Sequence, residues 1–435
     1  MPASLSSSAA TLVDQLGDID SVGGLRERLA MVPDPRSTRG LRHSLMSILL
    51  ITVCALSAGK DGYTAIEAWA NDAPPAVLEA LDVRFDPFLA RHVCPDESTI
   101  RTTIGRVNPD DLAATGCRYL ADLAEGRATV RRDVADEREA RRARTAAAAS
   151  PDTGGTSSRV GGGSGSASTA KGFAIDGKRL AGARRGDGSH VNLLSMVEHG
   201  SGTTAAQREI PAKTNEVPEV TQLLAGVDVR GDVLTLDALH TQRGTAEAVV
   251  VDHHAAYLLM IKANQPSLLA AVAARFTQSN AFFQDAGRYF SQSTTGHGRV
   301  ESREIRVGCA EGIDFPHAAQ VFQIIRRSKK LRSRSWEHKE VAFGVTALSA
   351  DQAGPADLAG YAKNHWAVEN KSHYVRDVTF REDASQTRTG HAPANLASLR
   401  NIVIGAFRRA GHVNIAHARS LHANSYERVV SLFGL

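Results

Sequence analysis

Cysteine is scarce. Cys54, Cys94, Cys117 and Cys309 are the only four in 435 residues, and no two form a Cys-x-x-Cys pair. This argues against a disulfide framework and a cysteine zinc site, and it fits a reducing compartment. Long apolar runs are missing too. Leu45–Leu56 (LMSILLITVCAL) falls short of the ~18–20 residues a membrane span needs, so it reads as a buried core helix. The N-terminal MPASLSSSAATLVDQ has no basic stretch leading into an apolar one. No secretory signal is therefore expected, and the chain is expected in the cytoplasm. Neither sign of charge dominates: 51 Lys and Arg against 47 Asp and Glu leave a formal +4. That permits an anionic partner such as nucleic acid without demanding one. No internal repeat is visible.

What is there is globular in character, 42% hydrophobic and 23% charged, with length for two or three domains. Residues 1–125 read as helical. The segment Pro33-Asp34-Pro35-Arg36 breaks the chain, and His43–Gly59 reads as a buried helix closed by glycine. Asp96 or Ser98 can cap a helix over Thr99–Val107, and a second helix over Pro109–Leu123 follows a short turn. Such a pair is compatible with a helix-turn-helix, but two helices packed in this way are common without one. Residues 126–144 are charge-dense and can extend the helix. Residues 145–170 are rich in Gly, Ser, Ala and Thr, which cannot bury a core and mark a flexible linker.

Beyond the linker, short apolar strands alternate with helices, which predicts a mixed sheet with helices packed on it. Gly172–Ile175 is a strand delivering Asp176, Asp232–Leu236 one delivering Asp237, and Ala256–Ile261 one running into Lys262. Strand signals recur at Arg299–Val307 and Gln320–Ile325, and helix returns from Ala356.

The densest stretch is Tyr361–Asp383, YAKNHWAVENKSHYVRDVTFRED. Read as an α-helix, it puts His365, Glu369 and His373 on one stripe. Imidazoles eight residues apart are about 12 Å apart along the axis, too far to share one zinc ion. Glu369 is then the residue of interest, with Asp176 and Asp237 as its candidate partners. Carboxylates at strand ends are where α/β folds tend to assemble sites, although aspartate there is also a common cap. If the three meet, they are suited to a pair of Mg²⁺ ions acting on a phosphodiester. Trp366 reads as core packing.

Several motifs in order resemble the DDE transposases of bacterial insertion sequences, in the branch of ISAs-type and H-repeat-associated proteins. They are Pro33-Asp34-Pro35-Arg36, Arg42-His43-Ser44-Leu45 and the Trp69 helix, then Ala174-Ile175-Asp176-Gly177-Lys178 and Lys213-Thr214-Asn215-Glu216. Leu236-Asp237-Ala238-Leu239-His240-Thr241-Gln242, Lys262-Ala263-Asn264-Gln265, His297-Gly298-Arg299-Val300-Glu301 and His365-Trp366-Ala367-Val368-Glu369-Asn370 complete the series. Together they span most of residues 20–415.

The resemblance implies an α/β, ribonuclease H-like catalytic domain over 171–435, with a partly β insertion at about 265–355. It implies a helical transposase-associated domain over 1–144 with a DNA-binding role. It also implies catalytic and metal-binding roles for Asp176, Asp237 and Glu369, two Mg²⁺ ions (Mn²⁺ substituting), and double-stranded DNA as partner. Cleavage and joining at element ends makes a homo-oligomeric synaptic complex plausible. Asn370 and His373 are candidates to orient Glu369, and Lys178, Lys262, Lys363 and Arg376 to hold phosphates. Two positions depart from the family pattern: Lys363 stands where Arg is common, and Val375 stands where related elements carry Lys. With all three carboxylates present, an active enzyme is favoured over a catalytically inactive or domesticated DNA-binding relative.

Overall fold

The computed structural model describes residues 24–128, 170–185, 187–211, 214, 216–296 and 298–435. The expected linker up to residue 169, the charge-dense stretch from residue 129, and the motif residues Lys213, Asn215 and His297 lie outside the described residues. The chain divides into two compact units, one of residues 1–154 with 376–435 and one of residues 155–375.

The first unit is helical apart from a two-stranded ribbon, β1 (Phe85–Asp86) and β2 (Arg91–His92). The apolar run forms a helix over Leu45–Ser57, started by Ser44, whose hydroxyl accepts from the Ser47 N–H. Nearly all its residues are buried, as its unbroken hydrophobicity requires. Asp96 caps the helix Glu97–Arg106 by accepting from Thr99 N–H at 2.6 Å, and Asn108 caps the helix Pro109–Glu125. The outward positions of that second helix include Asp110, Ala114, Arg118, Ala121 and Glu125. With one cation against two acids, they do not form the basic face a recognition helix presents to DNA.

The sequence assigned the C-terminal helices to the catalytic domain. They cluster instead with the N-terminal helices, because the helix Ala392–Arg409 is buried on all sides from Ala392 to Phe407. Asn395 ties it to the end of Glu97–Arg106, donating to the Ile104 and Val107 carbonyls at 2.7 and 2.9 Å.

The second unit is built on one nine-stranded sheet. Its strands are β3 (Gly172–Arg184), β4 (His190–Glu198), β5 (Thr204–Ile210), β6 (Val233–Leu236), β7 (Ala256–Ile261), β8 (Tyr289–Gly296), β9 (Arg299–Cys309), β10 (Gln320–Lys330) and β11 (His338–Thr346). Their order is β5-β4-β3-β6-β7-β11-β10-β9-β8. The first three form an antiparallel meander, and β3, β6 and β7 run parallel. This is the strand order and direction of a ribonuclease H-like fold.

The expected partly β insertion supplies β8–β11, and it joins the core sheet. Strand β11 pairs directly with β7, Phe343 opposite Ile261, so β8–β11 lengthen the core sheet. Every residue of β6 is buried, as a central strand covered on both faces demands. On one face Ile175, Leu234, Leu236, Tyr257 and Leu259 pack with Val220, Leu223, Val249 and Val272. On the other, Val233, Leu258, Ile305 and Phe322 pack with Leu358 and Ala362 of the helix Pro355–Asn364.

Candidate active site

Parallel pairing of β3 with β6 runs from Gly172–Val233 to Ile175–Leu236 and stops there, because β6 ends. Asp176 and Asp237 are the next residues on each strand. They stand side by side at the strands' C-terminal edge, where neighbouring strands are about 4.8 Å apart. Asp237 does follow its strand as expected. Asp176 does not: β3 continues to Arg184, and Asp176 pairs with Ser195 of β4. It lies at the point where one edge of β3 loses its partner and opens to the site.

The segment carrying Glu369 is not an α-helix. The helix Pro355–Asn364 ends, and a π-helical stretch follows over Val368–His373. Val368 is seated against Ala174 and Val197. Because Asp176 shares a strand face with Ala174, that contact brings Glu369 toward Asp176. Lys371 tethers the same segment by donating to the Gly200 carbonyl at 2.8 Å.

The wider winding breaks the expected three-residue stripe. His373 still meets Glu369, with Nδ1 3.3 Å from Oε2 and 3.7 Å from the Asp176 carboxylate. His365 turns inward instead. Its Nδ1 lies 3.1 Å from the Thr235 hydroxyl, which His199 Nε2 also reaches at 3.0 Å. Thr235 itself donates to the Phe173 carbonyl at 3.1 Å, so both imidazoles donate to its oxygen. Burial holds both histidines below their ordinary pKa, His199 at about 4.

Electrostatics distinguish the three carboxylates. Burial, reinforced by the charges of Asp237, Glu216 and Glu369, pushes the Asp176 carboxyl up to about 7. Glu369 moves the other way, because the His373 imidazole is hydrogen-bonded to it and Lys178 is near. Asp237 has its Oδ1 engaged by the Leu239 N–H at 2.9 Å, so it also caps a short 3-10 turn, Ala238–His240. The motif Lys262-Ala263-Asn264-Gln265 braces this turn. Asn264 donates to the Ala238 carbonyl at 2.7 Å and Gln265 to the Thr241 carbonyl at 2.9 Å.

Ligand atoms of Asp176, Glu369 and His373 lie within 4.8 Å of one another. This oxygen-rich set, with Asp237 beside it, fits a hard divalent cation. Like charges this close to a half-buried carboxyl favour cation loading over isolated ionisation.

The other expected site residues divide. Lys178 is buried next to Glu369, not displayed on the surface. Lys262 and Lys363 are exposed. Lys363 lines a cleft with Arg303, Arg326 and Gln292. Arg376 is not available to phosphate: it is fully buried, and its guanidinium is bound to Glu382 at 2.7 and 2.9 Å. Asn370 does not orient the carboxylate; its amide donates back to the Trp366 carbonyl at 3.0 Å. Trp366 is not core: it is 48% exposed, with the Arg326 guanidinium over its ring at 5.1 Å.

The sequence reading assigned no role to Glu216. Its carboxylate stands against Gly177 and its charge acts on Asp176; its sequence signals were the glycine after Asp176 and its own place in a motif.

The family model described as "DDE_Tnp_1-associated" matches residues 26–120, and "Transposase DDE domain" matches residues 167–404. "Putative transposase YncI" of Escherichia coli O157:H7 is 23% identical over 399 residues, covering 89% of this chain and 88% of its own length. "H repeat-associated putative transposase YhhI" of Escherichia coli strain K12 is 25% identical over 391 residues, covering 87% and 89%. A piggyBac transposase in a synaptic complex with hairpin DNA aligns with 97% of this chain and 75% of its own, at 12% identity and a TM-score of 0.38, too distant to bear on the fold. No helix among the described residues is long and apolar enough to cross a membrane. With the DDE domain model matching more than half of its length, the chain belongs to the transposase DDE domain family.

Proposed function

We propose that the chain is an active, Mg²⁺-dependent transposase that cuts double-stranded DNA at the ends of an insertion sequence and joins the freed 3′ ends to target DNA. The observation that carries this reading is the meeting of Asp176 and Glu369 within ligand range at the strand edge where Asp237 also stands. Asp176, Asp237 and Glu369 would hold two Mg²⁺ ions, or Mn²⁺ in their place. Such ions, when bound, supply water activation and charge stabilisation at the departing 3′ oxygen.

The chain's own residues prepare the site. Val368 packing and the Lys371 tether set the position of Glu369. An Nδ1–H from His373 holds its Oε2. The Asp176 carboxyl, poised near neutrality, gives up its proton when a cation arrives. Lys262 and Lys363 hold phosphates, the latter beside Arg303 and Arg326. The helical unit contributes further DNA contacts, and a homo-oligomer brings two ends together on the bacterial nucleoid in the cytoplasm.

The test is cleavage of a labelled element-end duplex with Mg²⁺ or Mn²⁺ by wild type, Asp237→Asn and Glu369→Gln. Cutting by wild type alone is expected. Binding without cutting by all three would make the chain an inactive DNA-binding relative.

A further inference from the structure

The cluster of Asp176, Glu369 and His373 leaves out Glu216, yet the charge of Glu216 acts on the same Asp176 carboxylate. It begins the helix Glu216–Leu224, next in the chain after β5. Its carboxylate fills the space that a Cβ on Gly177 would occupy, so only glycine after Asp176 lets it come this close. Its charge is among those that act on Asp176.

Behind it stands His240, on the short turn after Asp237. This imidazole is wholly buried, and neither ring nitrogen has a hydrogen-bond partner. Its Nε2 lies 3.4 Å from Glu216 Oε2, just beyond good hydrogen-bond distance. A buried imidazole so left is costly unless a small movement completes its bond. A cation drawing Glu216 into a fixed geometry would do that.

We infer that Glu216 is a fourth metal-binding carboxylate, serving with Asp176 and Asp237 a cation position beside that of Asp176 and Glu369, with His240 as its positioning residue. This rests on the proposed metal-dependent function and deepens it. The site would then place three carboxylates on one cation position, with Asp176 common to both. A structural ion pair between His240 and Glu216 is the competing role, and the two roles predict opposite signs. A ligand carboxylate crowded among like charges destabilises the metal-free protein, whereas a structural partner stabilises it.

The experiment measures Mn²⁺ binding by calorimetry, Tm with and without Mn²⁺, and DNA cleavage, for wild type, Glu216→Gln, Gly177→Ala and Glu369→Gln. Two Mn²⁺ per wild-type chain are expected. In Glu216→Gln one of them should weaken by about tenfold or more, the metal-free Tm should rise by a few degrees, and cleavage should fall roughly 100-fold. Gly177→Ala keeps the carboxylate but displaces it, and should weaken Mn²⁺ in the same way. It decides the matter if the Gln variant does not fold.

Glu216→Gln with wild-type Mn²⁺ affinity overturns the inference, as does a lowered metal-free Tm with Mn²⁺ binding intact. If only this variant behaves as wild type, the three-carboxylate function stands. If wild type itself neither binds Mn²⁺ nor cuts DNA, both fall.

Discussion

The molecule carries two clusters of charge away from bulk water, and they are built in opposite ways. In the helical unit, Glu382 is almost wholly buried and is met by two guanidiniums, Arg376 at 2.7 Å and Arg400 at 2.9 Å. At the edge of the sheet, Asp176 is crowded by Asp237, Glu216 and Glu369, and the described groups that offset Glu369 are His373 and Lys178. The first cluster is complete in itself and serves architecture. The second is electrostatically unfinished, and an added cation is what would complete it. Burial alone therefore does not mark a functional site; an excess of one charge does.

The comparison can be broken from either side. Glu382→Gln leaves two buried arginines short of a counter-charge, and a loss of about 3–5 kcal/mol is expected in chemical denaturation. Its Mn²⁺ affinity per folded molecule should not change; a stable Glu382→Gln protein would remove the contrast. Asp237→Asn and Glu369→Gln should do the reverse. Cleavage should fall by roughly a thousandfold, with metal-free Tm unchanged or slightly higher, and a large Tm loss would make these residues structural.

The pH dependence sharpens the same point. The Asp176 carboxyl is raised from 3.8 to about 7, so between those values the folded chain holds a proton that the unfolded chain has released. Its contribution to stability is therefore full below about pH 4 and is lost as pH rises toward 7. The side chain is 30% exposed, and solvent screening reduces the swing to about 1–2 kcal/mol. Melting curves of metal-free protein should show this slope in wild type and not in Asp176→Asn, and saturating Mn²⁺ should flatten it. Parallel curves for the two proteins would show that Asp176 is not strained.

The smallest effect concerns the anchor of Glu369. Val368→Ala should cost about 1–2 kcal/mol and weaken Mn²⁺ several-fold by loosening the π-helical segment. Unchanged Mn²⁺ affinity would mean that packing on Ala174 does not position the carboxylate.

Local features were legible in the sequence where local physics decides them. The cap at Asp96, the buried helix Leu45–Ser57 and strand β6 with Asp237 after it all follow from short-range signals. The family motifs identified the three carboxylates. Other features turned on distant partners. Arg376 reads as a surface cation until Glu382 and Arg400 are brought to it. Trp366 reads as core until the sheet leaves it outside over Arg326. The strands after residue 285 read as an insertion, but only the pairing of β11 with β7 shows that they extend the core sheet. Glu216 had no readable role, because its meaning depends on the missing side chain of Gly177.

The sequence by itself determined the chemistry available: which residues are acidic, where strands and helices begin, and that hydrophobic segments suffice for a core. Tertiary structure alone decided which charges face which. The pKa of Asp176 and the reach of Glu216 arise from groups tens to hundreds of residues apart in the chain. Coulomb interaction and desolvation depend on distance through space and on burial, and neither quantity exists until the sheet has formed.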